Sequence, residues 1–104
     1  MLTQSEILSS IKSLVKEEIP DAQVYLFGSR ATGKVHEESD WDILILTSEK
    51  VDRALKKKIN YKLFSTSLKV NSFIDCTIAN VEDWVKDPSY YVLRHSIEHE
   101  TIPV

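Results

Sequence analysis

The sequence predicts a layered α/β domain, with a small sheet of three or more strands flanked by helices. Stretches of helical apolar spacing alternate with short strand-like runs. The few glycines and prolines fall between these stretches, and no repeat or low-complexity segment breaks the alternation. At 104 residues the chain has room for one core but not two, so residues 1–104 read as a single domain.

Thr3 and Glu6 have the spacing of a capping box, and Ile7, Leu8, Ile11, Leu14 and Val15 follow at helical intervals until Pro20. Gln23 to Phe27 reads as a strand that ends at Gly28. A short helix is expected after Ser29, with Gly33 as its C-terminal cap. A polar loop from Lys34 to Glu38 leads to Ser39-Asp40-Trp41-Asp42 and the apolar run Ile43-Leu44-Ile45-Leu46, a buried strand. Ser48 is expected to cap a second long helix, with Val51, Leu55, Ile59 and Leu63 on one face. Ser72 to Ala79 alternates as a third strand, placing Ile74, Cys76 and Ile78 on one side and Phe73, Asp75 and Thr77 on the other. Asn80 can cap a short helix through Trp84, and Asp87-Pro88 pairs a cap with proline at the first helical position. Tyr90, Leu93 and Ile97 form the inner face of a last helix, closed by Pro103. The predicted order is α-β-α-β-α-β-α-α, with strand directions open between a parallel and a mixed sheet.

Composition narrows the function. An apolar fraction of 42% and a charged fraction of 28% are those of an ordinary soluble globule. A net charge of −3 gives no overall attraction to nucleic acid or anionic membrane. The lone Cys76 provides neither an intrachain disulfide nor a zinc-type cluster. The first residues have no secretory pattern, no run approaches the ~20 apolar residues that span a bilayer, and a cytoplasmic location is expected.

Asp40 and Asp42 stand one residue apart at the mouth of a strand, so their carboxylates leave the same face roughly 7 Å apart at the backbone. Like charges at that spacing are best tolerated when cations sit between them. The competing reading leaves Asp40 exposed in the loop and pairs Asp42 with Arg30 or a lysine. Gly28-Ser29 offers a sharp turn and a hydroxyl beside unpaired N–H groups, although a plain strand-to-helix turn with a serine cap gives the same pattern. Asp75 interrupts the Phe73–Ile78 run, where burial without a cation is expensive. If the third strand lies beside the second with matching pleat, Asp75 reaches the same site; otherwise it is a partly exposed strand-end residue. Three convergent carboxylates suit Mg²⁺ held together with substrate phosphates. Trp41 points to the opposite face and reads as core, as does Cys76.

Gly28-Ser29, ten residues, then Asp40-Trp41-Asp42 resembles the signature of the DNA polymerase β-type nucleotidyltransferase superfamily. The wider string Phe27-Gly28-Ser29-Arg30-Ala31-Thr32-Gly33…Ser39-Asp40-Trp41-Asp42-Ile43 is similar to its small single-domain branch, the minimal nucleotidyltransferases. The resemblance implies a polymerase β-like fold with a small mixed sheet. It implies Gly28 and Ser29 on the β- and γ-phosphates of ATP, with Arg30 as an additional phosphate contact. Asp40, Asp42 and Asp75 would ligate the metal, taken as two Mg²⁺ ions, with Asp75 alternatively accepting the acceptor's proton. The implied reaction moves AMP from ATP to a hydroxyl and releases pyrophosphate. Members of this branch often accompany a helical HEPN-type toxin as its antitoxin, in some systems by adenylylating a tyrosine. The alternatives are a partner-binding module that neutralises by contact alone, and a transferase or transferase subunit acting on a small molecule such as an aminoglycoside, where a homodimer would build the acceptor pocket.

Lys50, Arg53, Lys56, Lys57, Lys58, Lys62 and Lys69 make residues 50–69 basic. A solvated helix face is the plain reading; steering of nucleotide, or a dock for an acidic partner or RNA, is the sharper one. Arg94 and His99 fall within the Arg-x4-His pattern of HEPN ribonucleases, but three predicted strands do not suit that all-helical fold. Arg94, His95 and His99 therefore read as polar positions on the last helix. His36 lies in the loop, where it is read as without a role or as a ribose or base contact.

Overall fold

The architecture follows from one strand that is apolar on both sides. A computed structural model of the protein describes residues 2–33 and 40–104. Its elements are α1 (Gln4–Glu18), β1 (Gln23–Phe27), α2 (Ser29–Thr32), β2 (Trp41–Thr47), α3 (Arg53–Val70), β3 (Ile74–Asn80), α4 (Val81–Lys86), a 3-10 turn (Pro88–Tyr90), α5 (Tyr91–Ser96) and β4 (Ile102–Pro103). The sheet order is β3-β2-β1-β4, with β1 antiparallel to β2 and β4, and β2 parallel to β3. The sheet is mixed. Parallel neighbours cannot be joined by a tight turn, and the long helix α3 provides the crossover from β2 to β3.

Trp41, Ile43 and Ile45 face α1 and α3, packing with Ile7, Ile11, Val15, Ile59 and Leu63. Leu44 and Leu46 face the other way, against Ala79, Trp84 and Ile97, with Tyr25, Phe27, Tyr90 and Leu93 around them. This double burial is why Ile43–Leu46 is an unbroken apolar run and not an alternating one. Among the described residues, no helix is long and apolar enough to cross a membrane.

The Thr3 cap forms as expected, its hydroxyl oxygen accepting from the Glu6 N–H at 3.1 Å. Asn80 caps α4 as expected, accepting from Glu82 N–H at 2.9 Å, while its amide donates to the Ser48 and Glu49 carbonyls. Several expectations need correction, among them Tyr90 and Ile97, which flank α5 and do not lie within it. Asp52, not Ser48, caps α3, accepting from Leu55 N–H at 2.8 Å and leaving Val51 ahead of the helix. Ser48 and Thr47 instead donate to the Asp21 carboxylate, which clips the end of β2 to the turn before β1. Pro103 does not close a helix: α5 ends at Ser96, and Ile102–Pro103 pairs with Leu26 and Tyr25 as an edge strand. His99 accordingly lies in the turn beyond α5. The expected loop Lys34–Glu38, His36 and Ser39 lie outside the described residues.

Candidate active site

Three chain segments converge where β1 ends and β2 and β3 begin. The antiparallel register sets Phe27 opposite Asp42, and the parallel register sets Asp42 beside Asp75. Neighbouring strands lie about 4.8 Å apart, so the two carboxylates leave adjacent backbones on one face of the sheet. Asp40 is exposed one residue before β2. The matching pleat of the second and third strands is thus present, and Asp75 is an exposed position next to Asp42.

The turn after β1 closes on the same point. Gly28 adopts φ 77° and ψ −157°, a conformation that strains any residue with a Cβ. A Cβ there would collide with Oδ2 of Asp42 and come within 3.1 Å of its Cγ. Backbone and carboxylate therefore meet at a spacing that only glycine permits. Gly28 holds the cap position of α2, and Ser29 is the first residue inside the helix, so the expected serine cap is replaced by a glycine without a side-chain cap. The Gly28 carbonyl accepts from the N–H groups of Ala31 and Thr32. The Ser29 hydroxyl has no hydrogen-bond partner among the described residues.

Electrostatics separate the acids. Partial burial pushes the Asp42 carboxyl above its ordinary value, and the charges of Asp75 and then Asp40 push it further. Among the described residues Asp42 and Asp75 have no ion-pair partner. The Arg30 guanidinium lies 4.0 Å over the Trp41 ring; burial lowers its pKa, and the charge of Asp40 opposes that shift. Trp41 is 2% exposed and fills the core. Cys76 is half-buried, and burial, then the Asp75 charge, raises its thiol to about 12, so it stays protonated. Among the described residues, no three acid, imidazole or thiol groups are gathered closely enough to enclose a metal ion. Asp40 and Asp75 are exposed and Asp42 is half-buried, so the described acid row is open to solvent.

Other candidates fall elsewhere. Arg94 donates to the Trp84 carbonyl and lies near the Tyr91 ring, and His95 stacks on Tyr91 with Nδ1 3.9 Å from Glu98, all on α5 and the turn after it. Lys58 and Lys62 pair with Glu18 and Glu17 of α1. Sequence reasoning missed Phe27 as a wall of the acid row; its place one residue before the glycine turn was the available signal.

A family model described as a nucleotidyltransferase domain matches residues 6–91. The probable protein adenylyltransferase MntA of Haemophilus influenzae is 34% identical over 64 residues, covering 62% of this chain and 55% of that protein. This chain thus spans about half the length of the curated relatives it matches. Among solved structures, a chain of the tri-AMPylated Shewanella oneidensis HEPN toxin in complex with MNT antitoxin superposes with a TM-score of 0.63 at 19% identity, over 97% of this chain and 71% of that one. Spectinomycin adenyltransferase AAD(9) of Enterococcus faecialis, with ATP and spectinomycin, superposes with a TM-score of 0.69 at 17% identity, over 97% of this chain and 48% of that one. At these identities the structural likeness is one of fold.

Proposed function

Because the chain belongs to the nucleotidyltransferase domain family, we propose that it transfers AMP from ATP to a protein hydroxyl, a tyrosine of a HEPN-type toxin, and so acts as the antitoxin in the cytoplasm. The observation that carries this reading is the Asp42–Asp75 register pair set against the Gly28-Ser29 turn. A protein acceptor is supported by the protein adenylyltransferase relative and by the fold shared with a chain of the AMPylated toxin complex.

The donor set fits Mg²⁺. All three groups are hard carboxylate oxygens, and the charges of Asp75 and Asp40 both push the Asp42 carboxyl upward. An open acid row suits ions whose coordination is completed by nucleotide phosphates. Asp40, Asp42 and Asp75 would hold two such ions, which when bound offset phosphate charge and stabilise the entering and leaving oxygens. The rest falls to the chain. Gly28 lets the turn backbone approach the β- and γ-phosphates, Ser29 offers them its hydroxyl, and Arg30 adds positive charge beside the turn. Where it is not engaged with an ion, Asp75, exposed at the open side, would accept the proton of the incoming hydroxyl. The hydroxyl oxygen bonds to the α-phosphorus, the bond from that phosphorus to the bridging oxygen breaks, and pyrophosphate leaves.

The test is label transfer from α-labelled ATP, with Mg²⁺, to a purified HEPN-type toxin. Wild type should label a tyrosine of that protein and Asp42→Asn should not; equal behaviour of the two would end the catalytic reading. A second reading, neutralisation by contact alone, draws support from the absence of a closed three-ligand cluster among the described residues. A complex that protects against the toxin after loss of all three aspartates would favour it. A small-molecule acceptor, supported by the fold shared with the spectinomycin enzyme, predicts transfer to an aminoglycoside-type drug without any partner.

A further inference from the structure

Resting on the adenylyl-transfer reading, we propose that the outer edge of β3 and the groove beside α3 dock the acceptor. The occupant is an extended, acidic peptide segment that adds to β3 as a further strand and carries its tyrosine to Asp75.

β3 is the outermost strand. It pairs with β2 on one side, and among the described residues no strand pairs on the other. Its unused backbone donors and acceptors form a template for an extended chain. Natural edges are usually blunted by lysine, proline or a bulge. Ile74–Asn80 contains neither residue and runs in unbroken register with β2. A groove of about 320 Å³ follows this edge, lined by Asn60, Phe64, Ser67, Phe73, Asp75 and Cys76 among others. A second hollow of about 210 Å³ continues along Thr77 and Ile78, between Lys56 and Tyr90. Asp75 belongs both to the groove and to the acid row, so a chain lying in the groove delivers its side chains to the reacting centre.

The walls say what kind of chain fits. Tyr61, Phe64 and Leu68 share the outer face of α3 and are 82%, 61% and 67% exposed, and Phe73 beside them is 62% exposed. Single exposed apolar residues are ordinary, but Phe64 and Phe73 line the groove itself, with Tyr61 and Leu68 on the adjoining outer face of α3, so the groove wall offers apolar anchors for a docked chain. Helix α3 carries Arg53, Lys56, Lys57, Lys58, Lys62 and Lys69 and no acid. Only Lys58 and Lys62 have ion pairs among the described residues. On a chain of net charge −3 this is a local positive field, and it selects an acidic segment. RNA would also be attracted, but it has no amide ladder for the β3 edge.

The test uses the ¹⁵N-labelled chain and a synthetic peptide with a central tyrosine, alternating glutamate and valine. Backbone amide shifts are expected at Cys76, Thr77 and Ile78, and a peptide with lysine for every glutamate should bind at least about tenfold more weakly. The double variant Phe64→Asp/Leu68→Asp should weaken the acidic peptide by at least about tenfold. Lys56→Glu/Lys57→Glu, a second route that removes no apolar contact, should do the same, and both should leave Mg²⁺–ATP uptake unchanged by calorimetry. Shifts confined to other elements, no peptide binding at all, preference for an RNA oligonucleotide at β3, or a dimer in sedimentation that dissolves in the Phe64→Asp/Leu68→Asp variant would each overturn the docking site. Loss of Mg²⁺–ATP uptake by wild type with β3 shifts intact would overturn the transfer reading and leave the docking surface standing.

Discussion

Replacing Gly28 by alanine tests the site at its tightest point. Residue 28 sits at φ 77° and ψ −157°, where a residue with a Cβ costs about 1–3 kcal/mol. The new methyl would fall on Oδ2 of Asp42, so that carboxylate must turn off its rotamer at a cost of about 0.5–1.5 kcal/mol. The two effects together come to about 1.5–4.5 kcal/mol. For a domain of this size each kcal/mol moves Tm by roughly 4–8 °C, so thermal unfolding followed by circular dichroism should show a fall of at least about 6 °C. The variant should also lose about a hundredfold in adenylyl transfer, because a displacement near 1 Å of a positioning group is worth that much. A double-mutant cycle separates the causes. In an Asp42→Ala background the struck atoms are gone, and Gly28→Ala should cost only its backbone part, leaving a coupling of about 0.5–1.5 kcal/mol. A Tm within about 2 °C of wild type together with an undiminished rate would refute the close approach of turn and carboxylate.

Three further outcomes follow from the same geometry. Asp42→Asn removes the charge that Asp75 and Asp40 repel; it should raise stability in metal-free buffer by up to about 1 kcal/mol while abolishing Mg²⁺–ATP uptake in a calorimetric titration. Hydrogen bonds from Ser48 and Thr47 hold the Asp21 carboxyl at about 2, below its ordinary 3.8. A lowered carboxyl stabilises the fold above its unfolded value and loses that contribution as pH falls from about 4 to about 2, so Asp21→Asn should flatten that limb of an acid-unfolding curve. Ile43→Ala opens a cavity in the fully buried centre of β2 and should cost about 2–5 kcal/mol by urea unfolding, with no separate effect on nucleotide affinity of the folded fraction.

What could be read in the chain depended on whether the cause was local. Thr3, Asn80 and Gly33 announce helix ends by their own side chains or lack of one, and those ends are where they were expected. The alternation in Ile74–Ile78 fixed which side Asp75 faces. Direction and neighbours of strands were not local. The β2–β3 pairing is decided by where α3 packs, and β4 is two residues whose pairing depends on β1 being available. Ser48 and Asp52 are both competent caps, and Ser48 lost because Asp21, distant in sequence, claims its hydroxyl and N–H. The acid pair Asp40 and Asp42 was legible because two like charges at the mouth of an apolar strand are costly to the fold unless a cation serves them. The meeting of Asp42 with the Gly28 backbone was not, since it depends on the antiparallel register of β1 and β2.

The crossover helix ties these features into one device. A parallel β2–β3 pair is what brings Asp75 level with Asp42; in an antiparallel pair the starts of the two strands would lie at opposite ends of the sheet. Parallel pairing demands a long connection, and α3 is that connection. Its buried stripe, Ile59 and Leu63, holds β3 in place from below. Its other faces are thereby left beside the β3 edge, carrying Lys56, Asn60 and Phe64 along the groove that ends at Asp75. The topology that assembles the acid row therefore also fixes which surface lies next to it. Sequence changes on the outside of α3 can alter what docks there without moving a single carboxylate, because Ile59 and Leu63, not Tyr61 or Phe64, carry the packing.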